Sequence, residues 1–429
     1  MTKFKIILTA LFVVFIVGGL FAFATFRSGG GRNVTEVTLW GTLPKSTIET
    51  WLSDTALQSK TVKVKYVEKD ENMLEADFVE ALASGSGPDL IMFPHDLLLR
   101  HYNKLSVVPF ESFSERDFKD TFIEEGELFL SGQGVVGFPI SIDPMVMYWN
   151  RPLISSAGLS SPPRFWDEFY TIAPAFNEKN QAGNLKKSIV ALGVFDNVKN
   201  AKEILSLLIM QSGSPIIGVS SQGLTSVLNE RFNSVTTPAD SALRFFTDFG
   251  NSGKPIYSWG RNLPSSLDAF GGETLATYFG FSSELKNIRR KNPNLNFDVS
   301  LMPQIRGSSK KMTYGKLSAL VIPKNSGNAA AAVEAAILLT SRAPLELLAK
   351  STGLPPVRRD LLSKIPGDAV SPIFYQSALV SKAWLDPSSA ETTNIFRDMV
   401  DSVVSGRERV PEAVARAHEE LNQLLQGRR

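Results

Sequence analysis

Apolar and polar residues alternate from Val34 to Leu39, with Val34, Val37 and Leu39 apolar, which predicts a strand ending at Trp40-Gly41-Thr42. From Lys45 to Leu57 the spacing becomes helical, with Ile48, Trp51 and Leu52 on one face. Val62, Val64 and Tyr66 alternate again as a second strand, and Leu74, Phe78 and Leu82 mark a helix that stops at Gly85. Leu90–Phe93 is a short apolar run flanked by a Gly-Pro-Asp turn, read as a third strand, and Leu97-Leu98-Leu99 opens another helix. Such a βαβα order predicts the first half of a doubly wound α/β lobe.

After Asp143 the pattern starts afresh. Met145–Trp149 reads as a strand, Phe165–Phe169 opens a helix behind Pro162-Pro163, Ile189–Phe195 is a further strand, and 201–210 and 237–249 are helical. Leu275–Phe279 and Phe297–Leu301 look like the closing strands of a second lobe. Leu317–Pro323 then gives a strand feeding the alanine-rich helix 329–340, and the chain ends in a helix over 411–425. The return of strand–helix patterning at Leu317 predicts two discontinuous lobes: 34–141 with 314–355, and 142–313 with 356–429.

Ahead of the first strand, Ile6 to Phe26 is 21 residues without a charge, preceded by Lys3 and Lys5. At about 1.5 Å per residue such a helix spans roughly 30 Å, the hydrocarbon thickness of a bilayer. We read residues 1–5 as a cytoplasmic tip, 6–26 as an uncleaved signal anchor and 27–33 as a flexible tether, with the body outside the cell membrane. Ala22-Phe23-Ala24 is the alternative, a small-x-small cleavage site. Lys plus Arg at 45 against Asp plus Glu at 43 gives no electrostatic case for nucleic acid. The absence of cysteine removes disulfides, thiolate metal sites and any cysteine nucleophile.

Two blocks carry most of the chemistry. Gly87-Pro88-Asp89-Leu90-Ile91-Met92-Phe93-Pro94-His95-Asp96 places polar residues at the carboxyl end of a strand, where α/β sheets bind ligands. Gly137-Phe138-Pro139-Ile140-Ser141-Ile142-Asp143 is a strand broken by proline and closed by a carboxylate, suited to a crossing between lobes. With Gly272–Phe281, Gly315–Pro323 and Thr352–Leu361 in the same order, they resemble the type 1 extracellular solute-binding proteins, the maltose-binding-like receptors of ABC importers. This resemblance implies a two-lobe periplasmic-binding-protein-like fold of type II, closing by hinge motion around a small polar solute such as a saccharide. It also implies permease subunits as partners, a monomeric receptor, no cofactor and no metal.

Carried onto this chain, the resemblance points to Thr42 and Lys45 after the first strand, His95 and Asp96 after the third, Asp143 at the first crossing, and Ser282 in lobe two. Ser282 stands where a disaccharide receptor would present an aromatic platform, which puts oligosaccharide specificity in question. Trp40 serves either core packing or ligand contact. Trp259 and Trp384 sit in loops with little structural reason for a tryptophan and are candidate cleft walls, whereas Trp51, Trp149 and Trp166 read as core. Asp143 either binds solute or hydrogen-bonds the crossing strands, and His95 has the same two readings. Gly132–Gly137 matches a dinucleotide fingerprint in spacing only, because a proline-containing strand follows it where a helix is required. A carbohydrate-active enzyme or an anchored sensor on the same scaffold remains the alternative to a transport receptor.

Overall fold

The computed structural model describes residues 34–54, 61–221, 223–232 and 235–426. The first strand, Thr35–Gly41, pairs in parallel with Val62–Glu68 on one side and with Leu90–Pro94 on the other. Helices Lys45–Asp54, Leu74–Ser84 and His95–His101 follow these strands in turn. Leu74, Phe78 and Ala81 bury one face of the second of these helices, and Gly85 ends it in a left-handed conformation at φ 69°. Glycine adopts that conformation without the steric penalty of a Cβ.

Gly137–Asn150 is one strand of 14 residues, where the sequence suggested two. Pro144 does not interrupt it, because the neighbouring strand is antiparallel and places Gly315 opposite it. That neighbour, Thr313–Val321, lies between Leu90–Pro94 and Gly137–Asn150 and is antiparallel to both. A register shift between Ser318 and Ala319 absorbs the irregularity opposite Pro139. Beyond the long strand the sheet continues through Leu275–Phe281, antiparallel to it, and Leu185–Val190. Phe297–Ser300 pairs with the far half of the same long strand.

Two hydrophobic cores result. The first holds Val37, Leu39, Phe78, Phe93, Ile142 and Leu317, and the second holds Met145, Tyr148, Phe246, Tyr278, Phe396 and Leu421. The long strand changes core between Ile142 and Met145, and its partner does so between Tyr314 and Leu317. A third connection runs over the residues before Ser381–Lys382, which pair with Thr313–Tyr314. Val357, Leu361 and Leu362 pack in the first core, so the chain leaves lobe one later than the expected boundary at 355. Their side chains complete the apolar cover begun by the helices 329–339 and 342–352, which the sequence had assigned to that lobe. The expected signal anchor over 6–26 lies outside the described residues. Among the described residues no helix is long and apolar enough to cross a membrane.

Candidate functional site

Three helices begin around one space between the lobes. Leu74–Ser84 and His95–His101 start just beyond the carboxyl ends of strands Val62–Glu68 and Leu90–Pro94, and Ser389–Val404 approaches from lobe two. They enclose a cavity of about 610 Å³, lined by Glu71, Asn72, Glu75, Asp96, Leu97 and Arg100 from lobe one and by Ser388, Ser389, Ala390, Thr393 and Asn394 from lobe two. Unpaired backbone N–H groups in the first turn of a helix favour polar and anionic partners. The lining holds carboxylates, amides, hydroxyls and the Arg100 guanidinium beside the apolar Leu97 and Ala390, with no aromatic ring.

Within this lining, Glu75 is already engaged, 2.8 Å from Arg100 Nη1 and 2.8 Å from His101 Nε2. Lys104 Nζ lies 3.0 Å from His101 Nδ1, and burial holds the His101 imidazole below its ordinary range. Asp96 is half-buried. A second cavity, of about 280 Å³, lies between the lobes beside Leu43, Pro44 and Thr47 on one side and Ser282, Ser283 and Lys286 on the other. Lys286 Nζ donates to the Thr352 carbonyl at 3.1 Å, tying lobe two to the end of helix Arg342–Thr352.

Of the residues singled out in the sequence, Asp96 lines the larger cavity and Ser282 the smaller. Asp143 Oδ1 accepts hydrogen bonds from the Ser282 hydroxyl at 2.6 Å and from the Ser283 N–H at 3.0 Å. Burial nevertheless pushes its carboxyl above the usual range. Thr42 is half-buried and Lys45 exposed, and the Lys45 N–H donates to Glu68 Oε2 at 2.7 Å. The loop between them is pinned by the Tyr66 hydroxyl, which donates to the Leu43 carbonyl at 2.6 Å. Trp40 is half-buried, with Lys69 Nζ 3.9 Å from the centroid of its ring.

Three expectations are corrected. His95 is buried, its Nδ1 accepting from the Leu317 N–H at 3.3 Å with the Tyr314 hydroxyl 3.5 Å from Nε2. Burial lowers its pKa, and the ring braces helix His95–His101 against strand Thr313–Val321. Trp259 is 1% exposed and donates from Nε1 to Asn197 Oδ1 at 3.0 Å within the core of lobe two. Trp384, 2% exposed, stacks on Phe396 at 6.0 Å and donates to Ser206 Oγ at 3.2 Å. Neither tryptophan offers a ring face to the space between the lobes.

Sequence reasoning missed the second wall altogether. Ser388 and Ser389 are held in place by the buried ion pair Lys202–Asp386. Asp386 Oδ1 accepts from the Ser388 N–H at 2.9 Å and from the Thr392 hydroxyl at 2.9 Å, while Lys202 Nζ donates to the Ser389 carbonyl at 3.1 Å. The one available signal was the Asp386-Pro387-Ser388-Ser389 run, which reads as a helix N-terminus. At the crossing, Lys316 also went unremarked: it stands opposite Asp143, 3.6 Å from Glu203 and 4.2 Å above the Phe281 ring.

Residues 53–370 match the family model of the bacterial extracellular solute-binding proteins. A binding protein of Brucella abortus (strain 2308) is 23% identical over 257 residues, 58% of this chain and 57% of the relative. The chain thus spans little more than half the length of that curated relative. The sugar-binding protein MalE of Xanthomonas citri superposes with a TM-score of 0.73 at 17% identity, covering 92% of this chain and 98% of the other. The cyclic α-maltosyl-1,6-maltose binding protein of Arthrobacter globiformis gives 0.73 at 15% identity, with 92% and 100% covered. At such identities the structural likeness is one of fold. The family match spans most of the chain, including parts of both lobes, and the chain belongs to the bacterial extracellular solute-binding proteins.

Proposed function

We propose that this protein is the receptor of an ABC importer, capturing a small saccharide between its lobes and delivering it to permease subunits in the membrane. The observation that carries this reading is the cavity of about 610 Å³ whose walls come from both lobes and whose lining combines carboxylates, amides, hydroxyls and a guanidinium with the apolar Leu97 and Ala390. Its volume falls within the roughly 300–1,000 Å³ typical of small-molecule sites. A carboxylate such as Asp96 accepts two hydroxyl hydrogen bonds, each strengthened by its charge. Asn72, Thr393 and Asn394 add groups that both donate and accept, which suits a ligand made of hydroxyls. The proteins of similar fold named above are described as sugar- and cyclic-maltosaccharide-binding. The lack of an aromatic wall favours a short, hydrophilic ligand over a long maltodextrin.

In this reading the receptor is a monomer tethered through residues 6–26, its amino terminus cytoplasmic and its body extracytoplasmic. Its activity is binding rather than catalysis. The test is titration calorimetry of the full chain against monosaccharides, disaccharides, polyols and amino acids. Saturable one-to-one binding of a sugar supports the proposal, and binding confined to amino acids or to nothing overturns it.

A further inference from the structure

Glu125 lies in the helical turn Glu124–Phe129 of lobe one and is 2% exposed. Neither of its carboxyl oxygens has a hydrogen-bond partner among the described residues. Its place in the fold is specific. A Cβ on Gly315 would lie 2.3 Å from Glu125 Oε2, 2.7 Å from Ile142 Cδ1 and 2.9 Å from Ser381 Cβ. Ile142, Gly315 and Ser381 belong to the three different connections between the lobes, so this carboxyl sits where all three converge. The adjacent Glu124 pairs with Lys382 on the third connection.

A buried carboxyl with no donor is stable only when neutral. Burial pushes Glu125 up to about 8, with Lys382 pulling in the opposite direction. A rotation of one lobe about the crossings that drew Gly315 and Ser381 away from the carboxyl would admit water to it. A hydrated carboxyl returns toward about 4.3. The arrangement described here therefore favours a bound proton that such a rotated arrangement would release.

We propose that Glu125 is a proton-linked latch in the hinge: its neutral form holds the lobes as described here, and its ionisation favours a rotated arrangement that loosens the grip on solute. The statement about solute rests on the function proposed above; the statement about the hinge stands without it. The groups set against Glu125 from the elements around it are Lys382 on the third connection and Tyr314 on the crossing strand, whereas Lys316 and Asp143 point to the opposite face, toward Glu203 and Ser282. Glu124 and Glu127 lie on its own turn, with Lys119 on the helix Glu115–Thr121 packed against it. Burial holds His95 below and Tyr314 above their ordinary ranges, so neither gains or loses charge between about pH 7 and 9. Asp143 is shifted upward as well and needs its own control.

The chain has no cysteine, so Glu80→Cys and Arg244→Cys place one label on each lobe for distance measurement by pulsed spin resonance. Without solute, the distribution should hold one population at pH 6 and gain a second, longer one through about pH 8, the range set by the buried carboxyl. Glu125→Gln should keep the pH 6 distribution up to pH 9, Glu125→Leu should do the same if the glutamine variant folds poorly, and Asp143→Asn should keep the wild-type shift. A wild-type distribution that ignores pH, or a shift that survives in Glu125→Gln and Glu125→Leu, overturns the latch. For a saccharide found by calorimetry, affinity should fall on the order of tenfold from pH 6 to 9 in the wild type and less than about twofold in Glu125→Gln. If no saccharide binds, the function proposed above fails while the distance measurement still decides the hinge.

Discussion

Ser282 on lobe two donates its hydroxyl hydrogen to Asp143 Oδ1 over 2.6 Å, at the point where the long strand passes from one core to the other. The Ser283 N–H joins the same oxygen at 3.0 Å. Asp143, read from the sequence either as a solute contact or as a brace of the crossing strands, here holds the turn Ser282–Glu284 against the crossing. Asp143→Ala should cost about 1.5–3 kcal/mol of stability, the range for hydrogen bonds to a charged group. Asp143→Asn keeps an acceptor at Oδ1 and should cost less, by urea unfolding of both variants side by side.

The ion pair Lys202–Asp386 supports the lobe-two wall of the cavity from beneath, with both residues buried. Removing one partner leaves a buried charge without compensation, so Asp386→Ala should destabilise by about 3–5 kcal/mol. Lys202→Met combined with Asp386→Leu removes both charges and should recover much of that loss. Solute affinity should stay low in the double variant, because Ser388 and Ser389 lose their anchor. Denaturant midpoints and calorimetry on the same preparations separate the two effects.

Gly315 is glycine because of what crowds it and not because of an unusual φ. Its Cα faces Glu125, Ile142 and Ser381 at distances that leave no room for a methyl group. Gly315→Ala should cost about 1–3 kcal/mol through overpacking. It should also lengthen the mean distance between lobe labels at pH 6, since the crossings must spread to accept the Cβ.

Glu125 gives stability a definite slope with pH. The native carboxyl holds its proton up to about 8, while the unfolded one releases it near the ordinary value of 4.5. Between those values the native state binds more protons than the unfolded state, so stability falls as pH rises and levels off above the native value. Glu125→Gln should flatten the melting temperature between pH 5 and 8. A variant profile with the wild-type slope would assign the dependence to other groups.

How far the sequence could be read depends on which residues are asked. Alternation in Thr35–Gly41 and Val62–Glu68 and the helical face Leu74, Phe78, Leu82 predicted lobe one because each element buries one side against its own neighbours. The return at Leu317 was legible for the same reason. Trp259 and Trp384 were misread because Gly, Asn and Pro around a tryptophan report backbone shape and say nothing of what covers the ring. Asn197 and Ser206, which accept their indole N–H groups, are 62 and 178 residues away in sequence. The cavity was half legible: Asp96 follows a recognisable strand, but Thr393 and Asn394 sit on an ordinary helix and acquire meaning only when that helix start meets the ends of two strands from the other lobe.

The most direct test of the account is solute binding at the larger cavity. Titration calorimetry of the full chain should find a monosaccharide or disaccharide that binds once per chain. Asp96→Ala, which removes a half-buried carboxylate from the lining, should weaken that binding by about 1.5–3 kcal/mol, again the range for hydrogen bonds to a charged group, while leaving the melting temperature of the empty protein nearly unchanged. Sugar binding that is equally tight in wild type and Asp96→Ala, or no sugar binding at all, would contradict the assignment of this cavity.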